Sequence, residues 1–242
     1  MFTKSLTAAA FGALLFVAPA AHADVTVISG TAPGTTTATF TAAPGTDTAV
    51  LDFNGFQDDP NATITDLTAQ LSLKLLGVVG NSYQFSYELI NTSQAPISSR
   101  ISIFGFNADP NFAGVSNITG IFDTLSSGNQ PNGIPNLEFC LKTGNGGQCS
   151  GGGGGGLTNG QSATGGFWLN FNSPQASLAL SDFSVRYQSV AGAGRVTSAS
   201  GVPIGMGMVP EPATWAFMIL GFGLIGGALR NRKAQATRVT YA

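Results

Sequence analysis

The chain has 242 residues, of which 43% are hydrophobic and 9% are charged, with a formal net charge of −2. This length suits one domain with a sizeable core. The few Lys and Arg residues form no basic stripe that could replace counterions along phosphates, which argues against nucleic acid as a partner.

The first 23 residues have the three parts of a secretory signal peptide. Residues 1–4 form a short, positively charged segment, residues 6–17 are apolar, and Pro19 follows the apolar run. Ala21 and Ala23 then form a small-x-small cleavage site. The sequence therefore predicts export and a mature chain that begins directly after Ala23; a buried N-terminal helix is the alternative interpretation.

Export changes the chemistry that remains available. The only histidine, His22, leaves with the signal peptide. Between Asp24 and Glu211 the chain has five basic and twelve acidic residues, so the exported domain has a net charge near −7. Such a negative, sparsely charged surface suits a secreted, soluble domain.

Residues 24–191 are predicted to form one all-β domain. Residues 69–75 and 83–89 alternate apolar and polar side chains, with Gly77 and Gly80-Asn81 between them, which predicts a hairpin with one buried face. Further strands are predicted at 25–28, 50–53, 100–106, 137–141, 167–171 and 183–187. In the last of these, Ser184 and Arg186 face away from the apolar side. Many short strands with Gly, Asn and Pro turns indicate an antiparallel β-sandwich or jelly roll.

Three segments are rich in small residues. Residues 30–48 predict either a weak edge strand or a flexible lead-in, and residues 192–208 predict a linker. Residues 144–156 end in six glycines, which predicts a flexible surface loop or a close approach to another backbone or a ligand. A phosphate-binding loop is excluded because no Gly-Lys-Ser/Thr sequence follows the glycines.

Cys140 and Cys149 are the only cysteines of the chain. An even cysteine count in an exported protein favours a disulfide, and the glycines between the two residues allow the required geometry. A metal site needs more soft ligands, and a catalytic thiol needs a base. We therefore expect Cys140 and Cys149 to be bonded to each other.

Residues 209–233 have three parts in a fixed order. A turn motif formed by Pro210, Glu211 and Pro212 is followed by Trp215 and Ala216. Residues 215–229 are apolar and are predicted to form a short membrane helix, with Trp215 at one interface. A basic stop over residues 230–233, formed by Arg230, Arg232 and Lys233, predicts a cytoplasmic tail over residues 234–242.

This arrangement resembles the PEP-CTERM sorting signal of Gram-negative bacteria in its PEPxxWA form. The resemblance covers about the last thirty residues. It implies recognition by an exosortase, cleavage near Pro210-Glu211-Pro212, and transfer to the cell surface or the exopolysaccharide matrix. Residues 100–110, Cys140, the run 149–151 and residues 183–189 also resemble the cistern family of PEP-CTERM proteins, which implies no known activity.

Three classes of function remain for the exported domain. A structural surface or matrix protein without enzymatic activity, cofactor or metal is the expectation. A carbohydrate-binding module or adhesin is an alternative, in which Trp168 stacks on a sugar and Asp58, Asp59 and Asp109 hold calcium. The competing interpretations, which we favour, are a second buried face at Trp168 and solvated turn acids. A glycoside hydrolase would need two carboxylates, for which Asp58, Asp109 and Glu138 are candidates, but no pattern selects a pair. A Ser-His-Asp triad is excluded once His22 is removed.

Overall fold

The structure is a computed structural model, and it describes residues 25–28, 35–41, 48–145, 147–151 and 154–206. Within these ranges the chain forms fourteen strands and no helix. The strands are β1 (Val25–Ile28), β2 (Thr37–Thr41), β3 (Thr48–Phe53), β4 (Ala69–Val79), β5 (Ser82–Asn91), β6 (Ser98–Asp109), β7 (Gly114–Thr119), β8 (Thr124–Gln130), β9 (Ile134–Lys142), β10 (Leu157–Thr158), β11 (Ser162–Asn170), β12 (Ser177–Ala191), β13 (Ser198–Gly201) and β14 (Pro203–Met206).

The strands form two antiparallel sheets. The larger sheet has the order β1-β2-β12-β6-β9-β8, with β10 beside β6 and β13 beside β12. The smaller sheet has the order β14-β3-β4-β5-β11-β7. The predicted all-β, antiparallel fold is therefore confirmed for the described residues.

Aromatic side chains from the two sheets meet between them. Phe40 of the larger sheet contacts Phe85 of the smaller one with ring centroids 5.0 Å apart, and Phe139 lies 4.7 Å from Phe167. Edge-to-face and tilted pairs of this kind stabilise a core beyond the area that they bury. The inward side chains supplied by the alternating strands thus hold the sheets face to face as a sandwich.

The predicted hairpin is β4 and β5, which pair from Ala69 with Asn91 to Val79 with Ser82. The connection uses Gly80 with a φ of 59°, a conformation that glycine adopts without steric cost. The inward side chains of residues 69–75 and 83–89 are buried, as the period-2 pattern predicts.

Two predictions about segments of small residues are wrong. The linker predicted at residues 192–208 contains β13, which pairs with β12, and β14, which pairs with β3. Likewise, β2 is neither an edge strand nor a flexible lead-in, because it lies between β1 and β12 and buries Phe40 completely. Small residues carry little hydrophobic pattern, so pairing with distant strands determines these two segments.

A buried amide joins the two sheets at one end of the sandwich. Asn91, at the end of β5, is completely buried. Its Nδ2 donates to the Leu157 carbonyl oxygen at 2.8 Å and to Ser99 Oγ at 3.1 Å, and both partners belong to the larger sheet. The Ser93 backbone N–H donates to Asn91 Oδ1 at 3.1 Å, so both ends of the amide are satisfied.

The signal peptide over residues 1–23, the apolar segment 215–229, the basic stop 230–233 and the tail 234–242 lie outside the described residues. In the part of the chain that is described, no helix has the length and apolar character needed to cross a bilayer.

Candidate functional site

Trp168 lies on the outer face of the smaller sheet. Its neighbours in β11, Phe167 and Leu169, are completely buried and point into the core, whereas Trp168 is half-buried. In the sheet Trp168 pairs with Gln84 of β5 on one side and with Ser116 of β7 on the other. The alternation of β11 is therefore as predicted, with Trp168 on the side away from the core.

The surroundings of Trp168 are polar. Asn170 lies two residues along the same strand and bonds both neighbouring strands, because its Nδ2 donates to Ser116 Oγ at 3.0 Å and its Oδ1 accepts from Ser82 Oγ at 2.6 Å. Among the described residues, the Trp168 indole N–H has no hydrogen-bond partner and the ring contacts no other aromatic ring. A ring of this type offers both an apolar face and a free donor to a ligand.

The acidic residues proposed for calcium do not form a cation site. Within the described ranges, no group of three acidic, cysteine or histidine side chains is arranged to hold a metal. Asp59 instead supports its own turn, since its Oδ1 accepts from the Asn61 backbone N–H at 2.9 Å and from Asn61 Nδ2 at 3.1 Å. Asp58, Asp59 and Asp109 are thus not brought together as three oxygen ligands.

Glu138 is engaged in local hydrogen bonds. Its Oε1 accepts from Asn111 Nδ2 at 2.5 Å and its Oε2 accepts from the Ala108 backbone N–H at 3.2 Å. The strand around it is fixed by Asn107, whose Oδ1 accepts from the Glu138 backbone N–H at 2.7 Å and whose Nδ2 donates to Asp182 Oδ2 at 3.0 Å. This arrangement fits a carboxylate that ties β6 to β9.

A cleft of about 240 Å³ lies beside the larger sheet. It is lined by Thr35, Phe56, Pro60, Asn132, Gly133, Ile134, Pro135, Asp182, Phe183 and Val202. Among the described residues, Asp182 is the only carboxylate in this lining, and neither Asp58, Asp109 nor Glu138 contributes to it. The described lining thus does not contain the pair of facing carboxylates that is typical of a glycosidase.

The predicted disulfide joins Cys140 of β9 to Cys149, with their Cα atoms 6.0 Å apart. Both cysteines are completely buried on the outer side of the larger sheet. They belong to a small second core with Phe56, Ile103, Ile134, Leu137 and Val202. The disulfide thereby fixes the start of the glycine-rich loop to the sheet.

The glycine-rich loop returns to the sheet through a close backbone contact. Gly156 has a φ of 115°, and a Cβ at this position would collide with the Ile101 carbonyl oxygen. Only glycine fits both the conformation and the space. Of the two alternatives predicted for this segment, the close approach to another backbone is what the structure shows at Gly156.

Arg186 is buried, although the alternation in β12 places it on the polar side of the strand. Its Nη1 donates to Ser200 Oγ at 3.1 Å and its Nη2 to Ser198 Oγ at 2.8 Å, while Nε has no partner among the described residues. Burial lowers the pKa of the guanidinium. Arg186 is not among the residues that line the cleft, and its hydrogen bonds support β13. No local sequence signal predicts its burial, because β13 consists of small residues.

The sorting residues Pro210, Glu211, Pro212, Trp215, Ala216, Arg230, Arg232 and Lys233 and the cleavage residues Ala21 and Ala23 lie outside the described residues. The sorting residues are recognised by comparison with known families. A family model of the PEP-CTERM protein-sorting motif matches residues 209–233. No curated protein and no solved structure matches the chain. The motif indicates exosortase-dependent sorting of an exported protein.

Proposed function

We propose that this chain is a non-catalytic protein of the cell surface or exopolysaccharide matrix, and that an exosortase cleaves its precursor near Pro210-Glu211-Pro212. The match of residues 209–233 to the PEP-CTERM motif carries the proposal. The proposal includes export by the signal peptide cut after Ala23, a precursor held by residues 215–229, and membership of the domain in the cistern family.

The described domain supports this function by its position in the chain. Its last strand, β14, ends at Met206, only four residues before Pro210. The motif therefore follows directly on a folded domain without a long linker. An enzyme that cuts near the motif would release the whole sandwich with a short C-terminal extension.

The processing claim is tested in the producing cell with the full chain. Replacing Pro210 and Pro212 by Ala should make the uncut precursor accumulate in the membrane fraction. The matched control is Pro174→Ala, a proline in an exposed loop of the domain, which should leave processing unchanged. Mass spectrometry of the surface fraction provides the second measurement: peptides covering residues 230–242 in mature surface protein would contradict the proposal.

Carbohydrate binding is the second candidate function, and the free indole of Trp168 is the observation that favours it. The ring lies on a polar sheet face, and its N–H has no partner among the described residues. Stacking on a pyranose ring, with amides such as Gln84 beside it, is the chemistry that this face allows.

Calorimetry with the exopolysaccharide of the producing organism tests this second candidate. Trp168→Ala should abolish binding while circular dichroism remains unchanged. Leu125→Ala serves as the control, because Leu125 is an exposed apolar side chain of the other sheet. Absence of binding by the unaltered protein, or equal binding by the Trp168→Ala variant, would leave only the structural role.

A further inference from the structure

We propose that the β4–β5 hairpin tip, residues 76–81, contacts the membrane surface in the precursor and forms a lipid-binding surface of the domain. This inference rests on the proposed function, since it requires that residues 215–229 hold the precursor in a bilayer. It goes beyond that function by assigning the orientation of the folded domain and the residues that touch lipid.

The tip is aliphatic and exposed. Val79 is 63% exposed and Leu76 is 55% exposed, and they are the most exposed large apolar side chains of the smaller sheet apart from Ile204. Val78 lies between them and is half-buried. Single exposed apolar residues are ordinary, but these two near the end of one hairpin form a small apolar surface that no described residue covers.

The chain leaves the domain toward this tip. Met206 of β14 pairs with Leu51 of β3, and Leu51 pairs with Leu71 of β4, so Met206 lies level with Leu71. Because β14 and β4 both lie antiparallel to β3, they run in the same direction. At Met206 the chain therefore runs along the smaller sheet toward the end where Val79 lies.

The length of the tether allows the tip to reach the membrane. Val79 lies eight residues beyond Leu71 in β4, which corresponds to about 26 Å at the rise of a β-strand. Trp215, the expected interfacial anchor, lies nine residues beyond Met206 and can be at most about 32 Å from it at full extension. In the proposed orientation, with β4 along the membrane normal, a fully extended tether puts the interface only about 6 Å beyond the tip, and a shorter tether puts the tip at the interface.

The charge beside the tip suits a phospholipid surface. Lys74 lies on β4 two residues before Leu76, on the outer face of the sheet, where it pairs with Thr48 and Ser86. Aliphatic side chains that enter the headgroup region, with a Lys that reaches phosphate oxygens behind them, are the composition of a peripheral membrane contact. The partner we infer is therefore the lipid bilayer into which the same chain is anchored.

Depth-dependent quenching tests the contact in the full-length precursor. Val79→Cys would be labelled with an environment-sensitive fluorophore, and the native cysteines do not compete because they are bonded to each other. The precursor would be reconstituted in phosphatidylethanolamine–phosphatidylglycerol vesicles that contain spin-labelled lipid. Ile204→Cys is the matched control, because Ile204 is 58% exposed but lies on β14 before the level of Leu71.

We expect quenching at position 79 to be several-fold stronger than at position 204, and we expect the Leu76→Ser change to reduce it. Equal quenching at both positions, in precursor that floats with the vesicles and resists alkaline extraction, would overturn the lipid contact and leave the sorting function intact. Protection of position 79 that persists in detergent and disappears on dilution would assign the tip to a second copy of the chain instead. Failure of the precursor to float with vesicles would contradict the membrane-held precursor itself.

Discussion

The Tyr187 hydroxyl donates a hydrogen bond to the Asn54 carbonyl oxygen at 3.1 Å, and this bond joins the two sheets because Tyr187 belongs to β12 and Asn54 directly follows β3. The Asn54 side chain extends the connection, since its Oδ1 accepts from the Val202 backbone N–H at 3.0 Å. Val202 is the residue at which the chain passes from β13 in the larger sheet to β14 in the smaller one. One asparagine therefore holds the strand that leads to the sorting motif.

Replacing Asn54 by Ala should destabilise the domain by roughly 1–3 kcal/mol, because it leaves the buried Val202 N–H without its acceptor. Urea denaturation followed by tryptophan fluorescence measures the change. Asn129→Ala is the control, since Asn129 is exposed and should change the free energy of unfolding by no more than about 0.5 kcal/mol. Equal urea midpoints for the two variants would show that other contacts hold the chain where it passes from β13 to β14.

Reduction of the Cys140–Cys149 disulfide should lower the free energy of unfolding by roughly 2–3 kcal/mol, the chain-entropy value for a loop of this size. The Cys140→Ser/Cys149→Ser double variant should show at least this loss and should no longer respond to a reductant. The loss would exceed the entropic value if the second core around Phe56 and Ile103 loosens with the disulfide. An unchanged urea midpoint after complete reduction would contradict this prediction.

Glycine at position 165 is required by close packing between strands. A Cβ on Gly165 would collide with the Thr119 carbonyl oxygen and with the Tyr87 hydroxyl. Gly165→Ala should therefore cost about 1–3 kcal/mol, the usual penalty of overpacking. Gly77 is the matched control in the same sheet, because no atom lies within 4 Å of a Cβ placed there. Gly77→Ala should be tolerated, and an equal loss at both positions would disprove the steric argument.

The sequence predicts those strands whose own side chains carry the pattern. Residues 69–75 and 83–89 bury one face of a hairpin, and local alternation with a Gly-Asn turn is enough to predict their pairing. In contrast, β13 and β2 are Ser-, Ala- and Thr-rich, and they become strands because β12 offers its edge to both. Their position depends on long-range pairing that a local pattern does not contain.

The candidate sites show the same difference between features that a local pattern predicts and features that depend on long-range contacts. The disulfide follows from the cysteine count, and the position of Trp168 on the face opposite Phe167 and Leu169 follows from alternation; both are present in the structure. The second buried face favoured for Trp168 is not what the structure shows, because this side chain is only half-buried. Asp58, Asp59 and Asp109 have the carboxylates that a cation site needs, but the structure does not bring them together. No cation site therefore results within the described ranges. The alternation of β12 also does not predict the burial of Arg186, because its partners Ser198 and Ser200 belong to another strand, β13.

The described tyrosines predict an unusual alkaline titration. Burial raises the pKa of Tyr83, raises that of Tyr87 to about 12 and raises that of Tyr187 well above its usual value of 10.0. In Tyr241→Phe protein these three are the only tyrosines. The phenolate absorbance of this folded variant should therefore rise at higher pH than that of three exposed phenols.

The raised pKa values of the three tyrosines determine how the stability of the domain changes with pH. A pKa raised in the folded state means that the folded protein still holds a proton that the unfolded chain has lost, so the contribution to stability is complete below pH 10 and decreases as the pH rises toward 12. Urea midpoints measured across this range should fall steadily. Tyr87→Phe should make the fall shallower, because one of the three raised groups is removed. A phenolate signal equal to three tyrosines near pH 10, with the circular dichroism of the folded sandwich intact, would contradict their burial.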